Sequence, residues 1–233
     1  MTDPAPSRQK AEYAYRELKR QILMLEIAPG QLLNEAQLMQ RLCVGRTPIR
    51  EAIQRLATEK LVVANPRQTA FAAPILAQEL AEIVEMRLVL EVPAARMAAE
   101  RGSAQERAEL QAACESFRQH AAADDRPGIL FGDAAIHSLI ASMSRNSFLV
   151  DASERLASFC HRVWCLSVQN AGRDEAFVHC HDELTRTICA GDVEAAGRAA
   201  ADHIRLFRTR LGRLIEAIPC ASVAAAMNRE TAA

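Results

Sequence analysis

Two sets of residues carry chemistry in their spacing. The stretch "CVGRTPIREAIQRL", Cys43–Leu56, sets Arg46 and Arg50 one helical turn apart beside Pro48. Guanidinium forks match paired acceptors such as guanine O6 and N7 or phosphate oxygens, although the same arginines can form solvated pairs with Glu51 and its neighbours. The second set lies later in the chain. Asp133 and His137 are four residues apart, so on a helix both side chains project from one face, and His181 and His203 fall on two further helical stretches. Three imidazoles and one carboxylate suit a borderline divalent ion such as zinc, nickel or manganese. A hydrogen-bonded helix pair and two ordinary core or surface histidines would use the same residues. His120, His161 and His179 take ordinary roles, since His179 lies about 200° round the helix from His181.

The elements that must position the arginines read as helix, helix, turn, helix, hairpin. Residues 9–25 place Tyr13, Leu18, Ile22 and Leu25 at near-helical spacing, and "APG" at 28–30 ends that element. Asn34 is an N-cap, with Gln37 in the capping-box position, for a short helix to about Leu42. "CVG" turns the chain into a third helix lasting to about Lys60. Whether Gly45 or Thr47 caps it, Pro48 lies in the first turn, where its missing N–H costs nothing. Ile49, Ala52, Ile53 and Leu56 form its buried stripe, leaving Arg46, Thr47, Arg50 and Gln54 on the adjoining surface. Two β-like runs flank "NPRQ" in "LVVANPRQTAFAAP", a small hairpin. The predicted fold class is mainly α: an N-terminal winged helix-turn-helix over 8–75 with a small hairpin wing, then an all-α bundle of about six helices over 76–219. Its breaks fall at 101–105, 124–128, 144–147, 170–174 and 190–192. Asp192 caps the last helix, Pro219 ends it, and the Ala-rich stretch 220–233 reads as a flexible tail.

Composition separates the two parts. Residues 1–75 hold 11 Lys or Arg against 7 Asp or Glu, and the rest 17 against 22, so a basic module joins an acidic one within a chain of net charge −1. No apolar run approaches a membrane span, the N-terminus lacks the apolar centre of a secretory signal, and seven cysteines without a C-x-x-C pair fit no disulfide framework; the chain reads as cytoplasmic.

The stretch "LKRQILMLEIAPGQLLNEAQLMQRLCVGRTPIREAIQRLATEKLV" resembles the N-terminal domain of GntR-type bacterial transcription regulators. That resemblance implies DNA contact by Arg46, Thr47 and Arg50, and a wing that includes Arg67. Gly45 stands where the family has Ser or Thr, and the wing lacks its usual glycine. "LAEIVEMRLVLEVPAARMAAERG", "GDAAIHSLIASMSRNSFLV" and "HDELTRTICAGDVEAAGRAAADHI" are similar to the helical FCD effector-binding domain of the FadR-type branch. This likeness implies a metal, zinc first, held by Asp133, His137, His181 and His203. It also implies a small carboxylate or sugar-acid effector gripped by Arg87, with Asn146 either lining the pocket or ending a helix. Arg87 can instead pair within its own helix with Glu91 or Glu85. The expected protein is a homodimeric, ligand-responsive repressor of a metabolic operon that binds double-stranded operator DNA. A metal-dependent hydrolase and a dedicated metal sensor are the alternatives. No Ser/His/Asp set or extra paired carboxylate accompanies the metal set, which disfavours the enzyme.

Overall fold

Ala11, Ala14, Leu18 and Ile22, three and four residues apart, line one buried face of α1 (Pro4–Leu23). The stripe differs from the sequence expectation at both ends. Tyr13 is 52% exposed, and Leu25 lies past the helix with φ 57°. Ala14, small but in register with Leu18 and Ile22, takes the buried position that the larger Tyr13 had suggested, and Pro4 starts the helix earlier than residue 9. The computed structural model describes residues 4–64, 69–170 and 175–217, which form two compact units divided between Ile75 and Leu76.

In the first unit Asn34 caps α2 (Glu35–Leu42), its Oδ1 accepting from the Gln37 N–H at 3.1 Å. The helix stops where Cys43 turns into the left-handed region. Gly45 is the N-cap of α3 (Arg46–Thr58), with no side-chain bond to the first turn. A Cβ there would meet only Pro48 Cδ at 3.9 Å, so nothing steric demands glycine. Pro48 is buried in the first turn, and Ile49, Ala52, Ile53 and Leu56 face a core shared with Leu18, Ile22, Leu38 and Leu42. Strands β1 (Val62–Ala64) and β2 (Ala70–Ala72) pair antiparallel with Val62 opposite Ala72, and Phe71 also bridges to Leu32. Arg67, expected in the wing, lies outside the described residues.

The second unit is helical throughout its described residues: α4 (Ala77–Arg101), α5 (Ala104–Ala122), α6 (Arg126–Met143), α7 (Ser147–Asn170), α8 (Glu175–Cys189) and α9 (Val193–Ala217). Its starts are capped by Ser103, Asp125, Asn146 and Asp192, whose side chains accept N–H bonds from Glu106, Gly128, Leu149 and Ala195. A Cβ at Gly128 would lie 2.2 Å from the His120 ring, so any larger residue there would displace the His120–Asp125 pair. Arg107 satisfies two helix ends at once, donating to the carbonyls of Ala99 and Cys189 and so tying the close of α4 to that of α8. The core is built from Leu110, Phe117, Ile136, Leu184, Ile204 and Phe207 among others. Helix α4 packs on α9, and each buries several small residues: Ala94, Ala95, Ala98 and Ala99 on one, Ala196, Ala199 and Ala200 on the other. The expected break at 170–174 and the tail at 220–233 fall on or beside residues outside those described.

The register of α1 makes a direct prediction. Leu18→Ala removes a fully buried side chain and is expected to cost about 2–5 kcal/mol, whereas Tyr13→Ala should stay within about 0.5 kcal/mol, read by urea unfolding. Equal losses would contradict this packing.

Candidate functional site

The outer face of α3 carries Arg46, Thr47, Arg50 and Gln54, with Arg46, Thr47 and Gln54 exposed and Arg50 half-exposed. Pro48 and the Ile49 stripe turn inward, so the polar residues of the first two turns must point outward. Glu35, the first residue of α2, reaches across to them. Its carboxylate accepts from Arg50 Nε at 2.9 and 3.1 Å and lies 3.9 Å from Arg46. This cross-helix pair was not expected, because Glu51 had been the local candidate. Glu35 also stands in the first turn of α2, where a negative charge complements the helix dipole.

The second set converges in the interior of the helical unit. Asp133 and His137 come from α6, His181 from α8 and His203 from α9, and one ligand atom from each lies within 4.8 Å of all the others. His181 and His203 are fully buried. His181 Nε2 is 3.1 Å and His137 Nε2 3.8 Å from Asp133 Oδ1. On α4, Arg87 is 4% exposed, its guanidinium stacked on the Phe207 ring at 4.4 Å. Nε and Nη2 donate to Glu91 at 2.6 and 3.0 Å, the intrahelical pairing that the sequence left open. Nη2 also lies 3.2 Å from His203 Nε2 and 3.5 Å from His137 Nε2, while no hydrogen bond falls on Nη1 among the described residues.

The electrostatics follow from these contacts. Burial would push the Glu91 and Asp133 carboxyls up, but Arg87 and His137 hold Glu91 low, and His137, His181 and Arg87 do the same for Asp133. Burial likewise disfavours a charged His181, yet the Asp133 hydrogen bond, aided by Cys180, pushes it up to about 10. His203 goes the other way, driven well below its ordinary range by burial and then by the neighbouring cationic groups. The cluster is thus a set of opposed charges with a lone pair on His203 Nε2, on the side facing Arg87.

The donor set suits a divalent ion on its chemistry. Metal-bound imidazoles are normally held through their second nitrogen, and here each Nδ1 has a partner: Glu91 at 3.2 Å for His137, the Phe177 carbonyl at 2.8 Å for His181, and Cys180 Sγ at 3.0 Å for His203. All three Nε2 atoms therefore turn toward Asp133 or Arg87. Asn146 caps the start of α7, its Oδ1 accepting from Leu149 N–H at 3.2 Å. His120 bonds Asp125, His161 lies beside Phe131 within electrostatic reach of Asp133, and His179 is exposed; none is among the four converging residues. Cys180, Phe177 and Phe207 were not anticipated. Cys180 adjoins His181 in sequence, but nothing local shows that it faces a histidine on another helix.

With this geometry in view, comparison with known proteins gives one answer for both units. Residues 10–71 match the bacterial regulatory proteins of the gntR family and residues 82–206 match the FCD domain. The chain belongs to the GntR family of bacterial regulatory proteins, in the group that carries an FCD domain. It is a ligand-responsive, DNA-binding transcription regulator, not an enzyme. It is 26% identical over 191 residues to the HTH-type transcriptional regulator YdhC of Bacillus subtilis, covering 81% of this chain and 85% of that protein. It is 25% identical over 203 residues to the HTH-type transcriptional repressor RspR of Escherichia coli, covering 86% and 88%. The fold of E. coli McbR/YncC superposes with a TM-score of 0.79 at 22% identity, covering 92% of this chain and 100% of that one.

Duplex DNA approaching Arg50 would have to displace Glu35. Glu35→Gln is expected to tighten binding to duplex DNA several-fold, roughly 1 kcal/mol, in a mobility shift at fixed salt. Weaker binding would mean that the carboxylate positions the arginine instead of withholding it.

Proposed function

We propose that residues 8–75 read operator DNA through Arg46, Thr47, Arg50, Gln54 and the wing residue Arg67, and that residues 76–219 bind an organic acid beside a divalent ion and pair two chains into a homodimer. The observation that carries the effector half is the convergence of three Nε2 atoms and the Asp133 carboxylate, with every Nδ1 already held. Asp133, His137, His181 and His203 would hold the ion, zinc first and nickel or manganese next. Bound there, it would supply a Lewis-acidic position for a carboxylate oxygen.

Arg87 would meet the same ligand. Stacking on Phe207 and pairing with Glu91 immobilise the guanidinium and occupy Nε and Nη2, which leaves Nη1 for a second oxygen of a small carboxylate or sugar acid. An arginine held in this way loses little freedom on binding. The effector can alter operator affinity only by its differential affinity for the DNA-competent and DNA-incompetent states, so coupling of about 1–3 kcal/mol is expected. Repression of an adjacent metabolic operon from the cytoplasm is the role that these features and the repressor RspR support. No helix of the described residues is long and apolar enough to cross a membrane.

Two experiments test the halves separately. Arg46→Ala and Arg50→Ala should each cost about 1–3 kcal/mol of operator affinity, and undiminished binding by both would remove α3 as the reading helix. In the helical unit, His203→Ala should lose metal and melt at a lower temperature, whereas Arg87→Ala should keep metal but lose its thermal shift with hydroxy and sugar acids. Unchanged metal content in His203→Ala, measured on the purified protein, would rule out the cluster. A full carboxylate response in Arg87→Ala would rule out the clamp.

A further inference from the structure

The three outward partners of the imidazoles differ in kind. A carboxylate faces His137 and a backbone carbonyl faces His181, both ordinary supports for a ligating histidine. His203 has a thiol. Cys180 Sγ lies 3.0 Å from His203 Nδ1 and also 3.0 Å from the carbonyl oxygen of Phe177, one helical turn back on α8. The same carbonyl is 2.8 Å from His181 Nδ1.

The protons along this chain of contacts are set from Arg87, because a guanidinium N–H can only donate and His203 Nε2 must therefore accept, which leaves the His203 proton on Nδ1, facing the sulfur. Cys180 Sγ, also 3.9 Å from His181 Nδ1, accepts from His203 and directs its S–H at the Phe177 carbonyl. That oxygen, which within the helix also takes the His181 backbone N–H, can only accept. Nε2 then presents a lone pair inward, where Arg87 Nη2 stands as donor at 3.2 Å. His203 is fully buried, so water cannot replace the thiol in this role.

We propose that Cys180 is a positioning residue for the metal centre, its thiol relaying the Phe177 carbonyl to His203 and fixing the tautomer whose Nε2 can ligate. This rests on the reading that the Asp133 and histidine cluster holds a divalent ion. One carbonyl on α8 thereby orients two of the three imidazoles, directly for His181 and through sulfur for His203.

Zinc(II), titrated into the metal-free full-length protein against a chromophoric chelator, is the test. Wild type should bind one ion per chain. Cys180→Ala should bind it about 10–100-fold more weakly, and Cys180→Ser, which keeps a donor and an acceptor, should recover to within roughly 3-fold of wild type. Zinc affinity in Cys180→Ala equal to wild type overturns the relay while leaving the metal site standing. Failure of Cys180→Ser to recover overturns it too. Absence of zinc uptake by the wild type overturns the metal reading itself, and the relay with it. Nitrogen NMR of the metal-free wild type is independent of whether the alanine variant folds: His203 should be protonated at Nδ1, and an Nε2–H tautomer would overturn the relay.

Discussion

A charged or polar side chain removed from water must find its partners inside the protein, and the helical unit is organised around that demand. Arg87 brings a full charge into the interior of the unit with 4% of its surface exposed. Glu91 meets it one turn later on the same helix and is shared with His137 on α6. Asp133 meets His181 on α8, and Arg87 itself approaches His203 on α9. No helix of the four satisfies the whole of its own contribution. The polar cluster therefore ties α4, α6, α8 and α9 to one another in a way that apolar packing alone does not, because hydrophobic contacts tolerate rearrangement and an unpaired buried charge does not.

The DNA-binding unit meets the opposite requirement. Its arginines stay at the surface, since the apolar side of α3 buries Ile49, Ala52, Ile53 and Leu56 and leaves the other side free of core contacts. Glu35 holds Arg50 in place without burying it. An exposed ion pair of this kind contributes little to stability, and its effect is to occupy donors that any other acceptor would have to win from Glu35.

The extent to which these arrangements were legible depended on how local each one is. The α3 stripe, the Asn34 and Asp192 caps and the hairpin follow from residues within a turn or two of each other, and the structure has them where spacing placed them. The six helices of the second unit were delimited by short polar or Gly-containing breaks. The Arg87–Glu91 pair was visible as an i, i+4 relation, although Glu85 served equally well on paper. Tyr13 misled because size and apolarity weigh more in a sequence than register does. Tertiary partners were out of reach: Glu35 for Arg50, Glu91 for His137 and Cys180 for His203 lie 15, 46 and 23 residues apart. That Asp133, His137, His181 and His203 come together was inferred from likeness to the FCD domain, since spacing speaks only for the first two.

The small buried residues of α4 and α9 bear on all of this through volume. Arg87 and Glu91 ride on one of these helices and His203 on the other, and the two helices pack together. Farther along, α4 buries Ala94, Ala95, Ala98 and Ala99, and α9 buries Ala196, Ala199 and Ala200. A Val or Leu at Ala95 or Ala98 would add methylenes to a close-packed interior and shift the helix that carries Arg87 and Glu91. Buried alanines outside the cluster would thus bear on its spacing, and selection on that spacing would register there as an intolerance of bulk.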